Sequence, residues 1–292
     1  MDAKTSAIDR YANRRQMPRV VIPEVLKNNS SPIVLVSGNL DYYVRYGLPL
    51  IKSFTQNSTE TALIVNCVDF SIGLATSLLN KHREKKKNLK IYFSKTQLSS
   101  LGAISQERKV CYLKTIRYYV GLKIMELSQS NLIIADIDAL FTRPTFDRDF
   151  KNLITSNVSF GVGSTYDFLG NSLFESRQQN YLWRTVKAGF TYFAADHCGL
   201  QALKLIVQSL YNLDDKIPPT DELKLYRAYY GDQLAILFTA LELCSASTHN
   251  SFTIQCLGCS TNDMISFNER DQGSLWIPPA SKRDESLFDM FR

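Results

Sequence analysis

Short apolar runs alternate with longer helical patterns three times before residue 140, and no other feature limits the fold as much. SPIVLVSG (31–38), TALIVNCV (61–68), LKIYFS (89–94) and NLIIADID (131–138) are apolar for most of their length, as strands buried on both faces are. Between them lie DYYVRYGLPLIKSF (41–54), with Pro49 suited to a first helical turn, then IGLATSLLNKHREKKK (72–87) and RKVCYLKTIRYYVGLKIMEL (108–127). Strand, helix, strand repeated in this way predicts an α/β fold: a doubly wound, mostly parallel sheet with flanking helices, Rossmann-like. Ligands of such sheets bind at the carboxyl ends of the strands, so chemistry is expected there.

The second half is more mixed. VSFGVGS (158–164), GFTYFAA (189–195), FTIQC (252–256) and SLWIP (274–278) predict strands. HCGLQALKLIVQSLYNL (197–213) and GDQLAILFTALEL (231–243) predict helices. Residues 1–30 are polar and weakly patterned and are expected to form an N-terminal arm, leaving 31–292 as a single domain. No Gly/Ser/Pro-rich linker divides that stretch.

Composition removes several classes. No apolar run reaches the roughly 18 residues of a membrane span, and the first twenty residues lack the apolar core of a secretory signal. With six cysteines and three histidines and no export signal, the thiols are expected reduced and the protein cytoplasmic. The phosphate-cradling GxxxxGK[ST] and the GxGxxG, GxSxG and HExxH motifs are all missing. The 34 basic against 28 acidic residues leave a charge of +6, which suits anionic ligands without requiring one. KHREKKKNLK (81–90) reads as a solvated helix end; peripheral membrane contact stays open there. No basic patch interleaved with aromatics supports a nucleic-acid partner. Cys256 and Cys259 form a C-x-x-C, but their spacing to Cys244 and His249 is not that of a zinc finger, so ordinary thiols are expected.

The strongest chemical signal is Asp136-Ile137-Asp138, which follows the apolar run Leu132–Ala135 and precedes Pro144. On an extended chain, residues two apart point the same way, so the two carboxylates would repel each other in a cleft. A hard divalent cation, Mn²⁺ or Mg²⁺, relieves that repulsion and takes its remaining ligands from phosphate and water. Arg117 stands out separately. It shares a helical face with Leu113, Val120 and Ile124, and a buried guanidinium needs a partner. A pyrophosphate or an internal carboxylate would each serve. Asp232 precedes an apolar helical pattern, so it can cap a helix or serve as the base for an acceptor hydroxyl. Tyr42, just past the first apolar run, is placed to stack on a base.

The strand, the Asp-x-Asp and the Pro-terminated turn together resemble the metal-binding signature of GT-A-fold glycosyltransferases, the nucleotide-diphospho-sugar transferases. The resemblance spans about residues 31–290. Residues 31–54 resemble the family's opening strand and helix, which implies that Ser37, Asp41 and Tyr42 contact the donor nucleotide. Residues 113–127 resemble the helix before the motif, which implies a diphosphate contact for Arg117. Asp136 and Asp138 match the metal motif, and Asp232-Gln233 resembles the Asp-Gln pair opening a late helix. Lys282 follows the LWIPP stretch, where a C-terminal basic loop can close over a diphosphate or simply be surface charge. The implied activity is metal-dependent transfer of a sugar from a nucleotide-diphosphate donor to a carbohydrate, lipid-linked or protein acceptor, with Asp232 as base. Two alternatives stand beside it: a haloacid-dehalogenase-type phosphatase, whose first motif is also apolar–Asp-x-Asp, and a non-catalytic carbohydrate- or nucleotide-binding protein.

Overall fold

The four apolar runs of the first half become neighbouring strands in a computed structural model. It describes residues 18–82, 90–98, 106–152, 155–162, 186–216, 221–246, 253–257, 265–266 and 274–277. They are β2 (Ile33–Gly38), β3 (Ala62–Val68), β4 (Ile91–Gln97) and β5 (Leu132–Ala135). Added to them are β1 (Arg19–Val21), β7 (Val158–Val162), β8 (Val186–Phe193) and β9 (Ile254–Leu257), giving an eight-stranded sheet ordered β1-β4-β3-β2-β5-β8-β7-β9. Strands β4, β3, β2 and β5 are parallel; β8 runs antiparallel to β5 and β7, and β1 antiparallel to β4. A small second sheet joins β6 (Leu140–Phe141) to β10 (Ile265–Ser266) and β11 (Leu275–Trp276).

Alternate strand residues feed two cores, as a period of two requires. Ile33, Leu35, Leu132 and Ile134 face one core. It is covered by the helices Gln106–Ser128 (α3), His197–Lys216 (α5) and Asp221–Ala246 (α6). Val34, Val36, Ile133 and Ala135 face the other. There the cover is a helical segment over 40–57 (α1), Ile72–His82 (α2) and Phe146–Asn152 (α4). The doubly wound α/β expectation therefore holds.

Several elements differ from their sequence reading. Part of the expected arm is built into the sheet, because Val20 pairs with Thr96 and Leu26 is fully buried. The segment expected as a helix from 41 is helical over 40–57 but changes winding. Leu40–Tyr42 is α-helical, Tyr43–Gly47 is a π-helical turn closed by the Leu48 amide on the Tyr43 carbonyl, and Leu48–Asn57 returns to α. Pro49 explains this. It has no amide to give to the Arg45 carbonyl, and its ring would strike that carbonyl in a regular helix, so the turn before it widens. The helix expected from 231 begins at Asp221. Cys67 and Cys198 are free thiols, and burial pushes Cys67 up to about 12. Among the described residues no helix is long and apolar enough to cross a membrane.

Candidate active site

Strand β5 ends at Ala135, and the Asp-Ile-Asp motif forms a tight turn closed by the Ala139 amide on the Asp136 carbonyl at 3.1 Å. The motif is a turn and not the extended chain expected. The Asp136 side chain is 27% exposed, whereas Asp138 is 2% exposed. The Asp136 amide donates to the Gly189 carbonyl on β8 at 3.0 Å. A Cβ at residue 189 would stand 2.9 Å from Asp136 Oδ2, so the carboxylate occupies space that only glycine leaves.

Arg117 lies midway along α3 on its buried face. Gly121, one turn further on, lets that helix lie close to β5, since a Cβ there would meet Ile134 Cδ1 at 2.8 Å. The guanidinium is not directed to an open cleft. Nη1 donates to Asp136 Oδ1, and Nη2 donates to the Ala188 carbonyl at 2.8 Å and to Asp232 Oδ2 at 3.0 Å. Of the two partners expected for Arg117, the internal carboxylate is the one present, and there are two. Burial works against its charge, but Tyr118, Asp136 and Asp232 more than offset this and hold the guanidinium protonated. Both terminal nitrogens are engaged inside the protein.

The capping reading of Asp232 is corrected. It sits mid-helix in α6 and is 5% exposed, so it caps nothing. Burial pushes its carboxyl above the usual range while Arg117 pulls it back. The Gln233 amide donates to Asp232 Oδ1 at 2.9 Å, and Gln233 Oε1 is buried with no partner among the described residues.

The nucleotide-side candidates lie at the end of β2 and the start of α1. Ser37 Oγ accepts from Asn66 Nδ2 at 2.8 Å, and Asn66 Oδ1 accepts from Ser94 Oγ at 3.1 Å and Thr96 Oγ1 at 3.0 Å. Asn66 was missed, although one amide within TALIVNCV was a readable signal. Asp41 pairs with Arg45 at 3.3 Å on the surface. Tyr42 is 44% exposed, its ring 5.5 Å from that of Tyr46. Lys282, Cys259 and His249 lie outside the described residues, as do the side chains of Cys244 and Cys256 and most of the basic run 81–90.

The donor set suits a hard divalent cation. It consists of carboxylate oxygens at the carboxyl end of a central strand, with Asp136 and Asp232 both paired to Arg117. Among the described residues no group of three or more His, Cys, Asp or Glu is arranged to hold a metal. A cation here would thus take most of its ligands from a bound phosphate and water.

In sequence, no protein-family model matches the chain, and no curated protein matches it. Solved structures do. A crystal structure of the galactosyltransferase LgtC, in complex with donor and acceptor sugar analogs, superimposes with a TM-score of 0.50 at 12% identity. The match covers 89% of this chain and 94% of LgtC. The chain shares the fold of LgtC. The glycosyltransferase GlyE of Streptococcus pneumoniae TIGR4 also matches, at 12% identity and a TM-score of 0.44, over 78% of this chain. This chain spans only 45% of GlyE. The match to S. aureus TarS 1–349 has 14% identity, a TM-score of 0.43, and covers 84% of this chain and 60% of TarS.

Proposed function

We propose that the protein is a glycosyltransferase that takes its sugar from a nucleoside diphosphate sugar and uses Mn²⁺ or Mg²⁺. The observation that carries this reading is the Asp136 carboxylate at the carboxyl end of β5, fixed by Arg117 and Gly189, in a fold shared with a galactosyltransferase. Asp136 and Asp138 are the residues that would hold the cation. When bound, it would neutralise the charge that develops on the leaving diphosphate.

The chain's own residues supply the rest. Arg117 holds Asp136 in one orientation, which prepares the carboxylate to act as a ligand. Asp232 holds Arg117 from the other side. Ser37, oriented by Asn66, and Tyr42 offer a polar and an aromatic contact for the donor nucleotide. Carbohydrate, lipid-linked and protein acceptors all remain compatible with the site.

A thermal-shift panel of ADP, GDP, UDP and CDP, each with and without Mn²⁺, tests the reading. One nucleotide should raise the melting temperature with Mn²⁺ and much less without it. A ligand at a hundredfold excess over Kd stabilises by about 2.7 kcal/mol. Absence of any shift across the panel would refute it. The acceptor-independent hydrolysis of the matching nucleotide sugar then separates an enzyme from a binding protein.

A further inference from the structure

Ile137, the central residue of the Asp-Ile-Asp turn, points away from the two carboxylates' chemistry and into a socket made by a different part of the chain. It is 6% exposed and belongs to the core beneath α1 and α2. A Cβ at Gly38, the last residue of β2, would lie 2.7 Å from Ile137 Cδ1 and 3.6 Å from its Cγ2. A Cβ at Gly47, the last residue of the π-helical turn, would lie 3.3 Å from the same Cδ1. The widened turn forced by Pro49 and two side-chain-free positions therefore meet on one methyl group. Interiors packed at this density do not deform smoothly, so a displaced Ile137 moves the turn that carries both carboxylates.

We propose that Ile137 is a positioning residue. It seats the Asp136–Asp138 turn on Gly38 and Gly47, and so locks the cation-holding carboxylates to the segment that carries Ser37, Asp41 and Tyr42. The proposal rests on the function given above, because it assigns those carboxylates a ligand. It also accounts for glycine at position 38, although the backbone there is not left-handed; at position 47 the Tyr43 ring, 2.8 Å from a Cβ, asks for glycine as well.

The test is a double-mutant cycle of Gly38→Ala, Ile137→Val and the pair, read by titration calorimetry. The readout is the ratio of nucleoside diphosphate Kd without Mn²⁺ to Kd with Mn²⁺. A purely structural defect weakens both alike and leaves that ratio unchanged. Gly38→Ala should lower the ratio by roughly 10- to 100-fold, the usual loss when a group that orients a metal ligand is displaced. Ile137→Val, which removes Cδ1, should lower it by no more than about threefold and should restore the Gly38→Ala protein to within about threefold of wild type. A Cβ at Gly47 would also press Tyr43 Cδ2 at 2.8 Å, so a lowered ratio in Gly47→Ala counts only where Ile137→Val relieves it; read that way, it carries the test if Gly38→Ala does not purify. An unchanged ratio in the glycine variants, or a pair as impaired as Gly38→Ala alone, overturns the proposal. A wild-type protein that binds no nucleoside diphosphate with Mn²⁺ overturns the function itself, and the two failures are thus distinct.

Discussion

Gly189 and Asp136 are matched: the strand residue has no side chain where the carboxylate lies, and a Cβ there would sit 2.9 Å from both Asp136 Oδ2 and Ile277 Cγ2. Gly189→Ala should therefore push Asp136 off Arg117 and off its ligand position. We expect a loss of about 1–3 kcal/mol in stability, typical of an added methyl in a packed site. Mn²⁺-dependent nucleotide binding should fall at least about tenfold. Urea denaturation and calorimetry on the same variant check both.

The Arg117–Asp232 pair gives a second expectation. Removing one partner of a buried ion pair is costly because the other charge is left uncompensated. Arg117→Met should cost about 3–5 kcal/mol, and Arg117→Met with Asp232→Leu should cost less than the sum of the two single changes. Additive losses in a denaturation cycle would mean that the pair is not coupled.

Asp232→Asn separates the two roles considered for that residue. A general base would leave the melting temperature alone and reduce sugar transfer by roughly 10²–10⁴-fold. The geometry predicts the reverse order of effects: a lowered melting temperature, since the charge facing Arg117 is lost, and a smaller kinetic change that follows from a displaced Arg117. Differential scanning calorimetry with a transfer assay decides between them.

Asp147 provides a pH dependence remote from the site. Burial pushes its carboxyl up, but hydrogen bonds from the Thr59 and Glu60 amides and the Thr61 and Ser58 hydroxyls prevail and hold it below the usual range. A depressed folded value stabilises the protein above the unfolded value, near pH 4, and that stability is lost as the pH falls through the lower folded value. Asp147→Asn should thus be less stable than wild type at pH 7, with the gap closing below about pH 4 in urea titrations.

Much of the fold was readable because parallel strands buried on both faces leave a continuous apolar run. That signal marked β2, β3 and β5 to within two residues, apart from the two carboxylates that follow β5. The edge strand β1 was not readable: three residues, mostly exposed, carry no period. Asp232 looked like a cap because the eleven residues before it in α6 are mostly polar or Tyr and hide the helical pattern. The link between Arg117, Asp136 and Asp232 depends on contacts 19 and 115 residues apart in sequence, which no local pattern encodes. Arg117's need for a partner was legible; the partner's identity was not.

The account stands on the Asp136–Asp138 turn as a cation-dependent nucleotide site. Calorimetric titration of the best nucleoside diphosphate from the panel, with Mn²⁺, into wild type, Asp136→Asn and Asp138→Asn tests this directly. Both variants should lose at least about tenfold in affinity with Mn²⁺ and keep the wild-type affinity without it. Wild-type affinity in the presence of Mn²⁺ in both variants would contradict the account.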